Sequence, residues 1–227
     1  MQYGYEINDL AKEESWRIFR IMGELVEGFD KLSGIEPAVT IYGSARIGAE
    51  DELYAQTEEL AHRLGEMGFS IITGGGGGVM EAANKGALRA GVTSVGLNIE
   101  LPEEQMANAY TTKLITFNHF FVRKVMLVKY ATAFIIMPGG LGTLDELTEV
   151  LTLMQTHKIK PFPVILFNSK YWQDFLSWLR NSVLAGEFIS EDDFNLLRVC
   201  DYPDEVVEAV QRWHTRHEVI GRKALLK

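Results

Sequence analysis

The chain has 227 residues, of which 47% are hydrophobic and 23% charged, and its formal net charge is −9 at pH 7. These values are typical of one large globular domain with a well-buried core. The acidic balance argues against nucleic acid held along a basic surface, because phosphate contacts need clustered Lys and Arg. A small anionic ligand in a locally positive pocket stays compatible with it.

The single cysteine, Cys200, excludes an intramolecular disulfide and a thiolate metal cluster, which agrees with a reducing cytoplasm. The amino terminus lacks the basic start and apolar run of a signal peptide. No segment approaches the roughly 20 apolar residues that span a bilayer. We therefore expect a soluble, cytoplasmic protein that binds no membrane.

In chain order, the pattern begins with an amphipathic helix over residues 8–30, which packs either on the domain or on a second subunit. From residue 38 onward, short apolar runs alternate with helical patterns. The apolar runs are 38–44, 69–75, 93–99, 113–118, 132–140, 162–168 and, less clearly, 196–200. The helical patterns are 50–66, 78–90, 119–131, 143–157, 170–185 and 203–218.

Runs that are apolar on both faces are typical of parallel strands covered by helices on each side. Their alternation with helices predicts right-handed βαβ units. We predict an α/β fold, a Rossmann-like doubly wound parallel sheet of about seven strands, in one domain over residues 37–218. Residues 1–36 are predicted as an N-terminal helical extension and residues 219–227 as a C-terminal tail.

Two glycine-rich segments, residues 69–81 and 137–146, each join an apolar strand to a helix. Glycine permits positive φ there and lets an anion approach the backbone amides. The following helix points its unpaired N–H groups and its positive dipole end at that anion. Glycine also makes ordinary turns, but two such loops in one domain indicate phosphate binding.

Better-known nucleotide motifs are missing. The P-loop pattern is absent, and the first strand ends in GSARIG rather than GxGxxG, which disfavours P-loop nucleotidases and nicotinamide dehydrogenases. No cluster of His, Asp and Glu indicates a metal site. We expect neither a metal nor a cofactor.

Arg123 and Glu146 each allow two interpretations. The segment Thr143–Glu146 fits a capping box, in which Glu146 closes the helix start and Asp145 complements the dipole. Arg123 fits a solvated residue or an ion-pair partner. Both residues also follow strand ends, and a buried Arg beside a Glu at a phosphate loop is suited to catalysis. The spacing alone leaves these alternatives open.

The segment Pro138–Glu146, PGGLGTLDE, resembles the PGGxGTxxE signature of the LOG ("Lonely guy") family. Arg123 and Lys124 stand where that family carries its Arg-Lys pair, and Gly74–Ala87 resembles its glycine-rich second loop. The resemblance covers nearly all of residues 38–168, and the combined motifs are highly specific.

The resemblance implies a phosphoribohydrolase, which cleaves the N-glycosidic bond of adenosine-type nucleoside 5′-monophosphates to free base and ribose 5-phosphate. It also implies a homodimer or a higher assembly of dimers. It implies Arg123 and Glu146 as catalytic residues. The predicted substrate-binding residues are Ser44, Gly75, Gly76, Met80, Gln105, Lys124, Gly139, Gly140, Leu141, Gly142, Thr143, Leu144, Asp145 and Thr152.

This chain departs from the plant-type pattern around the base. It has Phe120–Val122 before the Arg-Lys pair and Val79–Glu81 at the end of the second loop. A carboxylate of the plant-type enzymes aligns only near Glu104 and Gln105. The run Leu97–Pro102 and the longer amino-terminal helix look like a bacterial subgroup. The choice between AMP and prenylated adenine nucleotides therefore stays open.

Three other functions were weighed. Lysine decarboxylase, a label given to relatives of this fold, needs pyridoxal phosphate on a Schiff-base lysine, which no feature indicates. A non-catalytic nucleotide or molybdenum-cofactor binder needs the phosphate loop but neither Arg123 nor Glu146. A DNA-processing module on a similar fold conflicts with the net charge.

Overall fold

The structure, a computed structural model, describes residues 14–101 and 106–225, with side chains described between residues 16 and 216. The strands are β1 (Ala38–Tyr42), β2 (Ser70–Thr73), β3 (Ser94–Ile99), β4 (Lys113–Phe117), β5 (Ala131–Ile136), β6 (Val164–Phe167) and β7 (Leu197–Cys200). The helices are α1 (Glu14–Leu32), α2 (Glu52–Glu66), α3 (Val79–Arg89), α4 (Phe120–Lys129), α5 (Leu141–Gln155), α6 (Ser169–Trp178), α7 (Glu191–Phe194) and α8 (Pro203–Leu225).

All seven strands form one parallel sheet in the order β4-β3-β2-β1-β5-β6-β7. The predicted Rossmann-like α/β fold in a single domain is thereby confirmed. The strand order reverses between β1 and β5, the two central neighbours. In such sheets the crevice beyond the carboxyl ends at this switch point is the usual ligand site.

Helices cover both faces of the sheet, because the side chains of each strand alternate between them. On β1, Ala38 and Tyr42 join a core cluster with α1, α4, α5 and α6, and Val39 and Ile41 join a second cluster with α2, α3 and α8. The central strand is buried along its whole length.

The predicted amino-terminal helix corresponds to α1, and residues 8–13 of the prediction lie outside the described residues. Ile21 and Leu25 pack against the core. Ile18 and Val26, predicted on the same apolar stripe, are 58% and 65% exposed. The stripe divides because α1 packs beside α4 and β4 along one narrow side only.

The carboxyl-terminal part differs from the prediction in two details. The single helix predicted over 170–185 is α6 followed by a π-helical turn, Leu179–Leu184. Helix α8 runs past residue 218 to Leu225, into the predicted tail. In the described part of the chain, no helix combines the length and the hydropathy needed to cross a membrane.

Candidate active site

A cleft of about 700 Å³ opens at the switch point, beyond the carboxyl ends of β1 and β5. Its volume lies within the usual range of small-molecule sites. The loop after β1, the end of β3 and the starts of α4 and α5 form its walls. Chain segments far apart in sequence therefore meet here.

The start of α5 faces this cleft. The helix begins at Leu141, and the residue before it, Gly140, provides no side-chain cap. The first backbone N–H groups of a helix have no intrahelical acceptor, and they carry the positive end of the helix dipole. The uncapped start of α5 is therefore suited to hold a phosphate group.

The loop ahead of α5 is held from two sides. Ser44 N donates to Pro138 O over 3.0 Å, and the Tyr171 hydroxyl donates to Gly139 O. A Cβ atom at Gly139 would overlap the Thr143 side chain. Glycine at this position therefore lets the loop lie flat against the first turn of α5.

The capping-box interpretation of Glu146 is wrong. Because α5 begins at Leu141, Thr143 is its third residue and not the residue that caps it. Glu146 is the sixth residue of α5 and lies in its second turn, too far along to bond to the N–H groups at the helix start. Asp145 also lies beyond the first turn, and it pairs with Lys124 over 3.0 Å.

Glu146 is a buried carboxyl group on the wall of the cleft. It is 7% exposed, and its Oε2 atom has no hydrogen-bond partner among the described residues. Burial raises its pKa to about 7, although Arg123 and Lys124 act in the opposite direction. A carboxyl group that exchanges its proton near neutral pH is suited to general acid–base chemistry.

Arg123 of α4 also lines the cleft. Its Nε donates to Leu97 O over 2.7 Å, and a Cβ atom at Gly74 would overlap its guanidinium. Burial lowers the pKa of Arg123, while the nearby Glu146 charge counters this effect. The side chain thus interacts electrostatically with Glu146 and is oriented by the end of β3.

A carboxylate from α1 holds the start of α4. Glu24 accepts hydrogen bonds from Asn118 N, Asn118 Nδ2 and His119 N over 3.1–3.3 Å. Its Oε1 also lies 3.0 Å from His119 Nδ1. Because His119 is the residue directly before α4, Glu24 ties the chain that enters the helix carrying Arg123 to α1.

The glycine loop after β2 is bonded internally. Gly75 N donates to Thr73 Oγ1 over 3.0 Å. Asn108 donates from its backbone N to Gly75 O and from Nδ2 to Gly76 O, both over 2.9 Å. Asn108 Nδ2 also lies 2.9 Å from Asn84 Oδ1, within a buried polar network. This loop forms a wall of the cleft.

Nine predicted site residues line the cleft: Ser44, Met80, Arg123, Gly140, Leu141, Gly142, Thr143, Asp145 and Glu146. Gly75 and Gly76 are buried beneath the wall, and Gly139 lies behind it. Leu144 packs against the core, Lys124 binds Asp145 and Glu149, and Thr152 is exposed and bonded to Thr148 O. Gln105 lies outside the described residues.

The sequence reasoning missed much of the apolar wall. Tyr42, Ile99, Leu101, Phe120 and Leu127 line the cleft and were not predicted as site residues. Tyr42 and Ile99 are the last residues of β1 and β3. Their position at the carboxyl end of predicted strands was a signal, but their apolar character pointed to the core instead.

The residues of this cleft can be compared with the requirements of a metal ion and of pyridoxal phosphate. Among the described residues, no group of three or more His, Cys, Asp or Glu side chains is arranged to hold a metal ion. The described lining contains no lysine, and Lys124 is engaged with two carboxylates. The residues present therefore do not fit a Schiff-base site for pyridoxal phosphate.

The fold and the cleft together define a Rossmann-like α/β protein with a buried acid and an uncapped helix start at its switch point. Residues 80–210, more than half of the chain, match the model of a family described as "Possible lysine decarboxylase". The chain belongs to this family, which is the LOG family of the resemblance.

Curated relatives carry a different activity in their names. The cytokinin riboside 5′-monophosphate phosphoribohydrolase LOG of Oryza sativa subsp. japonica is 28% identical over 187 residues, which cover 80% of this chain and 75% of that protein. The enzyme of the same activity from Rhodococcoides fascians is 26% identical, over 77% of this chain and 89% of its own.

A solved structure shares the fold. The molybdenum cofactor carrier protein of Chlamydomonas reinhardtii aligns with a TM-score of 0.57 at 22% identity, over 79% of this chain and 98% of its own. At this identity the likeness concerns the architecture alone.

Proposed function

We propose that this protein is a phosphoribohydrolase that cleaves the N-glycosidic bond of adenosine-type nucleoside 5′-monophosphates, AMP or cytokinin riboside 5′-monophosphates, to free base and ribose 5-phosphate. The observation that carries the proposal is the buried Glu146 in the same cleft as the uncapped start of α5. The names of the rice and bacterial relatives support the same reaction.

The 5′-phosphate is assigned to the start of α5. Leu141 and Gly142, the first two residues of α5, line the cleft together with Ser44 and Arg46, and the backbone N–H groups of the first two are the proposed donors. Anchoring the phosphate fixes the ribose relative to Glu146, so binding energy from the phosphate serves the reacting carbon.

The bond to be broken joins C1′ of the ribose to a ring nitrogen of the base. As it breaks, positive charge develops on the sugar and negative charge on the base. A carboxylate beside C1′ stabilises the sugar cation and accepts a proton from the attacking water, as in glycosidases. Glu146, with its pKa raised by burial to about 7, is suited to both roles.

The apolar wall is assigned to the base. Met80, Ile99, Leu101 and Phe120 line the cleft, and the charge of Glu146 acts on Arg123 in the same cleft. Arg123 either holds Glu146 in place electrostatically or contacts the sugar hydroxyls. A flat purine ring is compatible with such a wall.

The test is incubation of the protein with a panel of nucleoside 5′-monophosphates, followed by chromatography for released base. We expect base from adenine nucleotides and almost none from the Glu146→Gln variant, which should still bind nucleotide. Glu58→Gln, the same change at a mostly buried carboxylate of α2, is the matched control and should keep full activity. Binding without base release from any nucleotide would identify a non-catalytic binder instead.

We also propose a homodimer through the side of α1 and α4 that faces away from the core. Trp16, Phe19 and Val26 of α1 and Phe121 of α4 are 50–71% exposed, and such apolar surface is usually covered by a partner. Phe120, which is next to Phe121, lines the cleft. A second copy bound on this side would therefore lie beside the cleft. Sedimentation should show a dimer that Phe19→Glu dissociates, whereas Leu88→Glu on α3 leaves it intact.

A further inference from the structure

Two buried polar atoms of the cleft have no hydrogen-bond partner among the described residues: the hydroxyl of Tyr42 and Oε2 of Glu146. The two residues are 5% and 7% exposed. Buried polar atoms almost always bond to protein or to ordered water. One of these atoms is a donor and the other an acceptor, and the charge of Glu146 acts on the Tyr42 hydroxyl.

The ring of Tyr42 is fixed by packing that does not involve its hydroxyl. Tyr42 is the last residue of β1, at the switch point. Its ring stacks on that of Phe134 in β5, with centroids 6.4 Å apart and 2° between the ring planes. The core cluster of α4 and α5 surrounds it. The hydroxyl is therefore held at a set position on the cleft wall.

We propose that Tyr42 is a positioning residue for the water that attacks in the hydrolysis proposed above, on which this inference rests. The Tyr42 hydroxyl donates to the water oxygen, and the water donates to Glu146 Oε2. A lone pair of the water oxygen is then free to face C1′ of the ribose. This arrangement joins the two unpartnered atoms through the reacting molecule itself.

The bond changes balance without any further reactant. The water oxygen forms a bond to C1′ as the C1′–nitrogen bond breaks, and the electron pair of that bond leaves on the base. The water proton passes to Glu146 and from there to the base. Tyr42 keeps its own proton throughout and orients the water by donating to it.

The charged groups that face these two atoms come from α4 and α5: Arg123, Lys124, Asp145, Glu146 and Glu149. Burial, Glu146 and Glu149 raise the pKa of Tyr42, so its hydroxyl stays a neutral donor at neutral pH. A donor that reaches Glu146 through water favours the ionised carboxylate. Loss of the hydroxyl should therefore raise the pKa of Glu146 and move the acidic limb of the pH profile upward.

The test compares Tyr42→Phe with the wild type, using the nucleotide that the wild type hydrolyses. Tyr42→Phe keeps the stacked ring and removes only the hydroxyl. We expect kcat to fall roughly 10- to 100-fold, as for a misplaced reactant, with KM changed less than about twofold and the acidic limb moved to higher pH. Tyr130→Phe, which removes a buried hydroxyl outside the cleft that bonds to Phe29 O, should leave all three unchanged.

Each other outcome has its own meaning. Wild-type kcat and an unmoved pH profile in Tyr42→Phe would overturn the role of Tyr42 and leave the hydrolase proposal standing. A raised KM with an unmoved profile would assign the hydroxyl to substrate binding and overturn the positioning role. Absence of base release by the wild type would overturn the hydrolase proposal and this inference with it. Thermal unfolding should show that Tyr42→Phe, which keeps the ring stacked on Phe134, stays folded at the assay temperature.

Discussion

The two glycine loops of this protein look alike in sequence and differ in what their backbones do. In the loop after β2, Gly75 and Gly76 are already bonded to Thr73 and Asn108. In the loop after β5, Gly140 precedes a helix whose first N–H groups lie uncapped at the cleft. Helix α3 after the first loop also starts without a side-chain cap, but Val79 N at its start donates to Ser44 O. Glycine content alone therefore does not identify the phosphate site.

The same comparison separates stability from function. The loop after β2 is stabilised by the buried hydrogen bonds of Thr73, Asn84 and Asn108. The helix after the second loop carries Glu146, a buried carboxyl group with an unpartnered oxygen. Such a group costs folding free energy, so we expect the second region to trade stability for reactivity.

The largest effect is expected from Glu146→Gln, which should lower kcat by roughly 10²- to 10⁴-fold. The raised pKa of Glu146, about 7 against an ordinary 4.5, means that the folded state holds this proton more tightly than the unfolded state. That contribution to stability is complete below pH 4.5 and is lost as the pH rises through 7. At pH 8 the variant should thus be more stable than the wild type by up to about 3 kcal/mol.

Urea unfolding at pH 5 and at pH 8 measures this difference. The stability gain of Glu146→Gln should nearly vanish at pH 5, where the wild-type carboxyl is protonated in the folded state. A gain of the same size at both pH values would contradict the assignment of the raised pKa to Glu146.

Asn108→Ala, which changes a partner of the loop after β2, should lower stability and leave nucleotide binding nearly unchanged. It removes the Nδ2 donor to Gly76 O and Asn84 Oδ1 and keeps the backbone donor to Gly75 O, so we expect a loss of about 1–3 kcal/mol in unfolding free energy. Calorimetry measures the loss, and KM for nucleotide at a temperature well below unfolding should change little. A large rise in KM without loss of stability would make this loop the phosphate site.

A pair of alanine substitutions compares the loops directly. Gly139→Ala places a methyl group against Thr143, whereas the Cβ of Gly77→Ala meets Ala45 O at an ordinary 3.6 Å. We expect Gly139→Ala to raise KM roughly tenfold through a displaced helix start, and Gly77→Ala to behave like the wild type. Steady-state kinetics of both variants would show whether the second loop alone binds the phosphate.

The smallest effect is expected from Tyr171→Phe. The hydroxyl donates to Gly139 O from an exposed position on α6, so its loss should cost about 1 kcal/mol or less in unfolding free energy. A modest rise in KM, with kcat unchanged, should accompany it. Inorganic phosphate binding by calorimetry is an independent measure, and a fall in kcat alone would contradict an anchoring role.

The fold could be predicted because its signals are local. Each strand is an apolar run on both faces, and the glycines and helices between them follow the expected alternation. α7 could not be predicted, because its four residues, which follow a capping box at Ser190, are too few to show a helical apolar period. The split of the α1 stripe depends on which neighbours cover the helix, and a periodic pattern carries no such information.

The candidate site could be predicted only in part, for a similar reason. Arg123, Glu146 and the residues after β5 belong to recognisable motifs. Tyr42 and Ile99 have apolar neighbours and resemble core residues until the parallel sheet brings their strand ends together. Thr152 lies on the same helix as Glu146 but is exposed on another side. The alternatives for Glu146 depended on whether Thr143 or Gly140, three residues earlier, precedes the helix.

Glu24 gives the amino-terminal helix a consequence for the chemistry. A chain shortened to begin at residue 37 would keep all seven strands, the cleft and every residue that lines it. It would lose the carboxylate that holds Asn118 and His119, directly before α4, and with it one restraint on where Arg123 points. The same cut would remove Leu32 and Ile35 from the core, so trimming this protein to its sheet would be expected to lower its stability as well as to loosen the site.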